Sequence, residues 1–155
     1  MAENTMLTAS TSIEAPPEKI YALVSDLTRM GEWSPEAVGG KWVGGTGPAP
    51  GVKFKGNNAH GSKKWSTVVE VTEASEPKRF AFATKVGPMV VAEWAYSIES
   101  SDAGCTVTES WVDKRNAVIS FVGKYITGVD DRVAHTQSML ESTLTKLKQT
   151  AESNG

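Results

Sequence analysis

The sequence has a single cysteine, Cys105, and two histidines, His60 and His135. One cysteine allows neither an intramolecular disulfide nor a cysteine-based metal site, and it fits a reducing compartment. The two histidines do not stand in an HExxH or comparable spacing, so no metal site is predicted. We therefore predict a cytoplasmic protein with no metal and no other cofactor.

Long apolar runs and a strong net charge are also lacking. No stretch approaches the roughly 18 apolar residues that span a membrane, and residues 1–13 have no basic or apolar region of a signal peptide. The 16 basic and 18 acidic residues give a net charge of −2. We expect neither nucleic acid nor stable membrane insertion. The length of 155 residues predicts one domain, 1–155, as a monomer or weak homodimer.

The first two thirds of the chain are rich in strand signals. Polar and apolar residues alternate from Leu7 to Ile13 and predict a first strand. Pro16 and Pro17 then open a short helix that ends near Asp26, and a second short or irregular helical piece continues through Trp33. Frequent turns separate β-rich runs and predict antiparallel strands at 38–43, 52–56, 65–72, 79–84, 90–98 and 106–112.

The last part of the chain changes character. From Asp130 to Glu152 there is no proline or glycine, and the apolar residues fall on one stripe of a helix of about six turns. Phe121, Tyr125 and Val129 extend the stripe upstream, and Gly123 and Gly128 favour a break or a kink there. The predicted class is α+β, a curved antiparallel sheet of about seven strands around this helix. The stripe consists of Val133, Leu140, Leu144, Leu147 and Ala151.

Strand parity places large apolar side chains on one common face of the sheet. One interpretation is an ordinary core filled by the last helix. The other is a residual cavity, because side chains on a curved sheet cannot all reach one helix. The residues on this face include Phe54, Trp65, Val69, Phe80, Phe82, Trp94, Tyr96 and Trp111.

Glu109 is the unusual residue of this face, since it stands between Val107 and Trp111. An ionised carboxylate there is costly unless it is paired or hydrated. Either Glu109 lies at a rim or in a salt bridge, or it is a cavity carboxylate with a raised pKa. His60 fits a turn that could serve the mouth of a cavity, and His135 fits a helix surface. No catalytic motif is present elsewhere.

These features, in this order, resemble the START-related helix-grip superfamily, specifically the polyketide cyclase/dehydrase and lipid-transport (SRPBCC) proteins of actinobacterial type. The resemblance covers nearly the whole chain and implies two short helices after the first strand and a grip around a hydrophobic tunnel. The stretches that carry it include Ile13-Glu14-Ala15-Pro16-Pro17, Trp33-Ser34-Pro35-Glu36, Trp94-Ala95-Tyr96, Val107-Thr108-Glu109-Ser110-Trp111 and Met139-Leu140-Glu141-Ser142-Thr143-Leu144.

Three functions remain open. The first is binding, transport or sequestration of a small hydrophobic molecule such as a lipid, isoprenoid or polyketide-like compound. The second is a cyclase or dehydratase with Glu109 as acid or base. The third is a protein-interaction module without a ligand. We predict that the pocket opens near Trp33 and the Gly44–Gly51 segment. The expected ligand-binding residues are Trp33, Phe54, Trp65, Val69, Phe80, Phe82, Trp94, Tyr96, Glu109, Trp111 and Tyr125.

Overall fold

The computed structural model describes residues 6–45, 47–129 and 131–153. Thr46, in the glycine-rich loop, and Asp130, the predicted start of the long helix, lie outside the described residues. Residues 1–5, which begin the segment without signal-peptide features, also lie outside the described residues, as do residues 154 and 155.

Seven antiparallel strands form one sheet in the order β1-β7-β6-β5-β4-β3-β2. Strands β2 to β7 follow one another as hairpins, whereas β1 pairs with β7 at one edge. The sequence therefore predicts the α+β class and the number of strands correctly. The strands are β1 (Met6–Ile13), β2 (Ala37–Val43), β3 (Lys53–His60), β4 (Lys63–Ser75), β5 (Arg79–Val86), β6 (Met89–Ser101) and β7 (Gly104–Asp113).

Two short helices connect β1 to β2 at the opposite edge. Helix α1 (Pro17–Ser25) begins with a proline in its first turn and buries Ile20, Leu23 and Val24. A 3₁₀ helix (Leu27–Glu32) follows, and Asp26 caps it by accepting a hydrogen bond from the Thr28 amide at 3.2 Å. Both helices lie where the sequence predicts them.

The hairpin between β3 and β4 is longer than predicted. The segment 57–61 was expected to be a loop, but β3 continues to His60 and β4 begins at Lys63. Gly61, with φ of +59°, allows the chain to reverse tightly. The Asn58 amide also donates a hydrogen bond to Thr67 Oγ1 across the pair at 3.1 Å, so polar residues that suggested a loop stabilise the ladder.

Two helices follow the sheet, with the predicted break located at Gly128. Helix α2 (Ala117–Thr127) begins after Asn116, whose side chain accepts from the Ile119 amide at 2.8 Å. It ends at Gly128, which has φ of +70°. Helix α3 (Arg132–Ser153) then packs on β1 and β7. Phe121 and Tyr125 are 62% and 70% exposed, so their predicted continuation of the α3 stripe is wrong, whereas Val129 is buried.

The predicted stripe of α3 faces the sheet. Leu140, Leu144, Leu147 and Ala151 are buried, and Val133 is half-buried beside the cluster around Trp111. Along the parts of the chain that the structure describes, no helix combines the length and the apolar character needed to cross a membrane.

Candidate functional site

A cavity lies between the sheet, α3 and the segment that leads into β2. It contains about 760 Å³ of unfilled space, counting its open mouth, but about 90 Å³ of that space is wide enough to admit water. Its wall is mostly apolar, with a few polar groups. The sheet contributes Phe54, Thr67, Val69, Phe82, Thr84, Trp94, Tyr96 and Glu109, and the helices contribute Leu27, Met30, Met139, Leu140 and Thr143.

Trp94 forms the aromatic side of this wall. Its ring is stacked near Phe82 at a centroid distance of 6.4 Å, and on its other side it contacts Trp111 at 6.3 Å. The indole Nε1–H donates to Thr84 Oγ1 at 3.0 Å. The hydrogen bond and the two ring contacts fix the orientation of the indole, so its face is a rigid apolar surface for a ligand.

Glu109 is the buried carboxyl of the cavity. Strand β7 pairs on both sides, so Glu109 lies opposite Ala9 of β1 and Tyr96 of β6. Its residue exposure is 3%, and Oε1 has no hydrogen-bond partner among the described residues. Burial raises the pKa of Glu109 to about 8, and a hydrogen bond with Tyr96 opposes that rise. The carboxyl is therefore largely protonated at pH 7.

Tyr96 is the polar neighbour of this carboxyl. It is 3% exposed and lines the same cavity. Burial, followed by the proximity of Glu109, raises the pKa of Tyr96 well above its ordinary value. Two neutral hydrogen-bonding groups thus lie together in an apolar wall. They could orient a hydroxyl or carbonyl of a ligand, and Glu109 could also exchange a proton near neutral pH.

Six of the residues predicted to bind a ligand line this cavity together: Phe54, Val69, Phe82, Trp94, Tyr96 and Glu109. The inward position of Glu109 follows from the alternation of side chains along β7. The rim and salt-bridge interpretation fails, because Glu109 is buried and forms no ion pair with another described residue.

The other five predicted residues do not line the cavity. Trp33 and Phe80 are almost completely buried in the core, where Phe80 contacts Tyr21 and Phe82. Trp111 packs with Ala92 and Leu140 behind Trp94. Trp65 shares a face of β4 with Thr67 and Val69 but lies nearer the hairpin turn, and Tyr125 is exposed on α2. The alternation of side chains along a strand assigns each residue to one face of the sheet, but it does not show where along the strand the cavity ends.

The mouth of the cavity lies next to Trp33, as predicted, but not at the described part of the Gly44–Gly51 segment. The more exposed wall residues are Ser34, Ala37 and Gly39 before and within β2, and Asn57 and Asn58 in β3. Within the described residues, no member of the Gly44–Gly51 segment contributes to the wall. The twisted end of β2, where the β2–β3 register shifts between Ala37 and Gly39, therefore frames the opening.

A second polar group lies at the side of the cavity. Glu36, which lines the wall, is 7% exposed, and its Oε2 is 3.3 Å from Nε2 of His135. The rings of His60 and His135 lie with centroids 4.7 Å apart. Burial is the main cause that lowers the pKa of His135, and the neighbouring Glu36 opposes that shift. The sequence predicted no shared site for these residues, because they are far apart along the chain.

A family model described as polyketide cyclase/dehydrase and lipid transport matches residues 5–152. Among solved structures, a polyketide-cyclase-like protein from Corynebacterium glutamicum is 32% identical, with a TM-score of 0.66. The match covers 98% of this chain and 94% of that one. A search of curated proteins gave no match.

More distant structures share the fold. Major latex-like protein 151 from Panax ginseng is 13% identical with a TM-score of 0.71, and the match covers 96% of this chain and 97% of that one. A Thermus thermophilus protein is 17% identical with a TM-score of 0.69, with coverage of 97% and 99%. At these identities the likeness concerns the fold alone.

Proposed function

Because this chain belongs to the polyketide cyclase/dehydrase and lipid-transport family, we propose that its cavity binds a small hydrophobic molecule such as a lipid, an isoprenoid or a polyketide-like ring compound. The observation that carries the proposal is the cavity, whose wall is largely apolar and contains a largely neutral carboxyl beside a tyrosine. Apolar walls with a few convergent polar groups are typical of small-molecule sites.

The size of the cavity limits the ligand. About 90 Å³ of it admits water, whereas clefts for drug-sized molecules measure about 300–1,000 Å³. A flat or narrow molecule therefore suits the cavity as it stands, and a larger one requires the wall to move apart. We propose that the protein acts in the cytoplasm as a carrier or receptor for such a molecule, as a single domain.

The binding proposal is tested by native mass spectrometry of gently purified protein and by titration with 1-anilinonaphthalene-8-sulfonate, read through dye emission. We expect an apolar molecule to co-purify, or the dye to bind the emptied cavity. Trp94→Ala should change the dye affinity, because this side chain forms the aromatic wall. Trp65→Ala is the matched control, because Trp65 is half-buried outside the wall.

Two results would contradict the proposal. One is the absence of both a co-purified molecule and dye binding, which would favour an interaction module. The other is an equal effect of the two tryptophan variants, which would place the dye elsewhere on the surface.

A second candidate function is catalysis, as a cyclase or dehydratase. The pKa of Glu109, about 8, favours it, because a general acid or base works best when its pKa lies near the working pH. In this scheme Glu109 transfers a proton to or from the bound molecule, and Tyr96 orients the same polar group. Glu109→Gln should then abolish turnover of a bound polyketide-like compound while leaving dye binding intact. Unchanged turnover would remove Glu109 from the chemistry.

A further inference from the structure

Three side chains from distant parts of the sequence converge beside the mouth of the cavity. Glu36 directly precedes β2, His60 ends β3 and His135 lies in the first turn of α3. One carboxylate oxygen and one ring nitrogen from each histidine all lie within 4.8 Å of one another. Nitrogen and carboxylate oxygen are donors that Zn²⁺ and similar divalent transition metals prefer.

The contact between Glu36 and His135 is already at the spacing of metal ligands. Two ligands at about 2.0–2.2 Å from a tetrahedral metal lie roughly 3.3–3.5 Å from each other. Glu36 Oε2 and His135 Nε2 are 3.3 Å apart. His60, whose ring contacts the His135 ring edge-on, has a nitrogen within 4.8 Å of both atoms, so reaching ligand spacing requires a shift of at most roughly 1.5 Å.

The two facing atoms are also unsatisfied. Glu36 Oε2 and His135 Nε2 are buried, and neither has a hydrogen-bond partner of acceptable geometry among the described residues. They contact each other at 3.3 Å, which is within ion-pair distance but lacks the geometry of a hydrogen bond, whereas buried polar atoms are nearly always hydrogen-bonded. A cation between them would satisfy both atoms.

The backbone around these residues is fixed. The Ala59 amide donates to the Glu36 carbonyl at 2.9 Å, which ties the segment before β2 to the end of β3. Asp131 accepts from the Ala134 amide at 3.1 Å and so caps the first turn of α3 next to His135. The three side chains therefore project from well-positioned elements and not from a free loop.

Arg132 places a positive charge next to these three residues, and it contacts only one of the two carboxylate oxygens of Glu36. Its guanidinium donates to Glu36 Oε1 at 2.9 Å, which leaves Oε2 for another partner. Such outer contacts to a ligating carboxylate commonly fix its orientation. The positive charge of Arg132 lowers the affinity for a cation, and the negative charge of Asp113, which also interacts with Arg132, partly offsets it.

We propose that Glu36, His60 and His135 form a binding site for a divalent transition-metal ion such as Zn²⁺. Two histidines and one glutamate supply three protein ligands and leave one position for water or for a polar group of a bound molecule. Because Glu36 also lines the cavity, the ion lies at its side and joins β2, β3 and α3 around the mouth.

The site is tested on the full chain after treatment with EDTA. Zn²⁺ is titrated by calorimetry, and its stoichiometry is read by native mass spectrometry. We expect one ion per chain. Glu36→Gln, His60→Asn and His135→Asn should each lower the affinity by at least the roughly 10–100-fold that changes to outer ligands cost. Glu32→Gln is the matched control, because Glu32 is exposed and pairs with Arg29.

Co²⁺ identifies the donor atoms through its visible absorption. Nitrogen and oxygen ligands should give d–d bands without a thiolate charge-transfer band. A thiolate band would place the metal on Cys105 and overturn the proposal. So would the absence of binding to folded wild type, or an affinity in the His60 and His135 variants equal to that of wild type. Circular dichroism confirms that each variant is folded. Dye binding is measured with EDTA present, so failure of the metal site leaves the test of ligand binding independent.

Discussion

Glu109 couples the cavity to the stability of the protein. The pKa is raised in the folded state to about 8 from an ordinary value of 4.5, so the folded protein holds a proton that the unfolded chain releases between these values. The penalty for burying the group is absent below about pH 4.5, grows as the pH rises and is complete above about pH 8.

We therefore expect Glu109→Gln to stabilise the protein at alkaline pH. The gain in the free energy of unfolding should be about 2–4 kcal/mol at pH 8 and near zero at pH 4.5. Urea denaturation at several pH values measures it. The exposed Glu99→Gln on β6 is the control and should follow wild type. A constant difference between Glu109→Gln and wild type across this range would contradict the raised pKa.

The first position of β7, Gly104, does not accommodate a side chain. It has φ of +154°, and a Cβ atom there would lie 2.2 Å from the Ile13 carbonyl oxygen, against backbone that cannot easily move. Gly123, in the middle of α2, has open space around it.

Alanine at these two glycines should have opposite effects. Gly104→Ala should destabilise by about 1–3 kcal/mol, because it adds a clash with the end of β1. Gly123→Ala should stabilise α2 by about 0.5–1 kcal/mol, because alanine loses less backbone entropy in a helix. Thermal unfolding of both variants and of wild type measures the change in stability. Equal effects of the same sign would refute the assigned contacts.

At the scale of elements, α3 closes the sheet through a stripe that the sequence predicts. Leu144 is 2% exposed and belongs to the main core cluster, together with Leu147 and Ala151. Leu144→Ala should lower the free energy of unfolding by about 2–5 kcal/mol, because it leaves a cavity in a packed core. The exposed Lys146→Ala on the same helix should change it by less than about 0.5 kcal/mol. Chemical denaturation compares the two.

The helices and strands also show which sequence patterns are sufficient to predict an element. Strand alternation and helical spacing can be recognised from residues close together in the sequence. For this reason β1, the consecutive strands β2 to β7, α1 and the α3 stripe could be predicted. The strands of the β3–β4 hairpin extend further than predicted, because cross-strand bonds such as Asn58 to Thr67 depend on register. The break at Gly128 could be predicted from the glycine itself, whereas the exposure of Tyr125 could not, since it depends on where α2 packs.

The candidate site was predictable in part for the same physical reasons. Parity found Glu109 and Trp94, because each needs only the period of its own strand. It could not find that Met139 and Thr143 of α3 complete the wall, or that Glu36 meets His60 and His135. Those contacts arise between elements far apart in the sequence, and no local pattern records them.

At the scale of the molecule, a cavity this narrow must widen to accept a ligand of ordinary size. The sheet side of the wall is held by ladders of backbone hydrogen bonds. Helix α3 and the 3₁₀ helix are held by their side chains, through apolar packing and, for α3, through bonds from Gln137 and Lys148 to carbonyls of β1. We expect dye binding to slow amide exchange around Met139–Thr143 and Leu27–Met30, measured by hydrogen–deuterium exchange. Trp94→Ala should reduce this effect. Protection confined to the exposed face of α2 would indicate a different binding surface.

The position of β1 has a consequence for how the chain folds. Strands β2 to β7 can form from successive hairpins, each of low contact order, but β1 must wait for β7 and α3 before it has partners. During synthesis on the ribosome the first strand is therefore left as an unpaired edge. Its sequence from Met6 to Ile13 contains no charged residue and no proline, so this segment can pair with other nascent chains until β7 has been made.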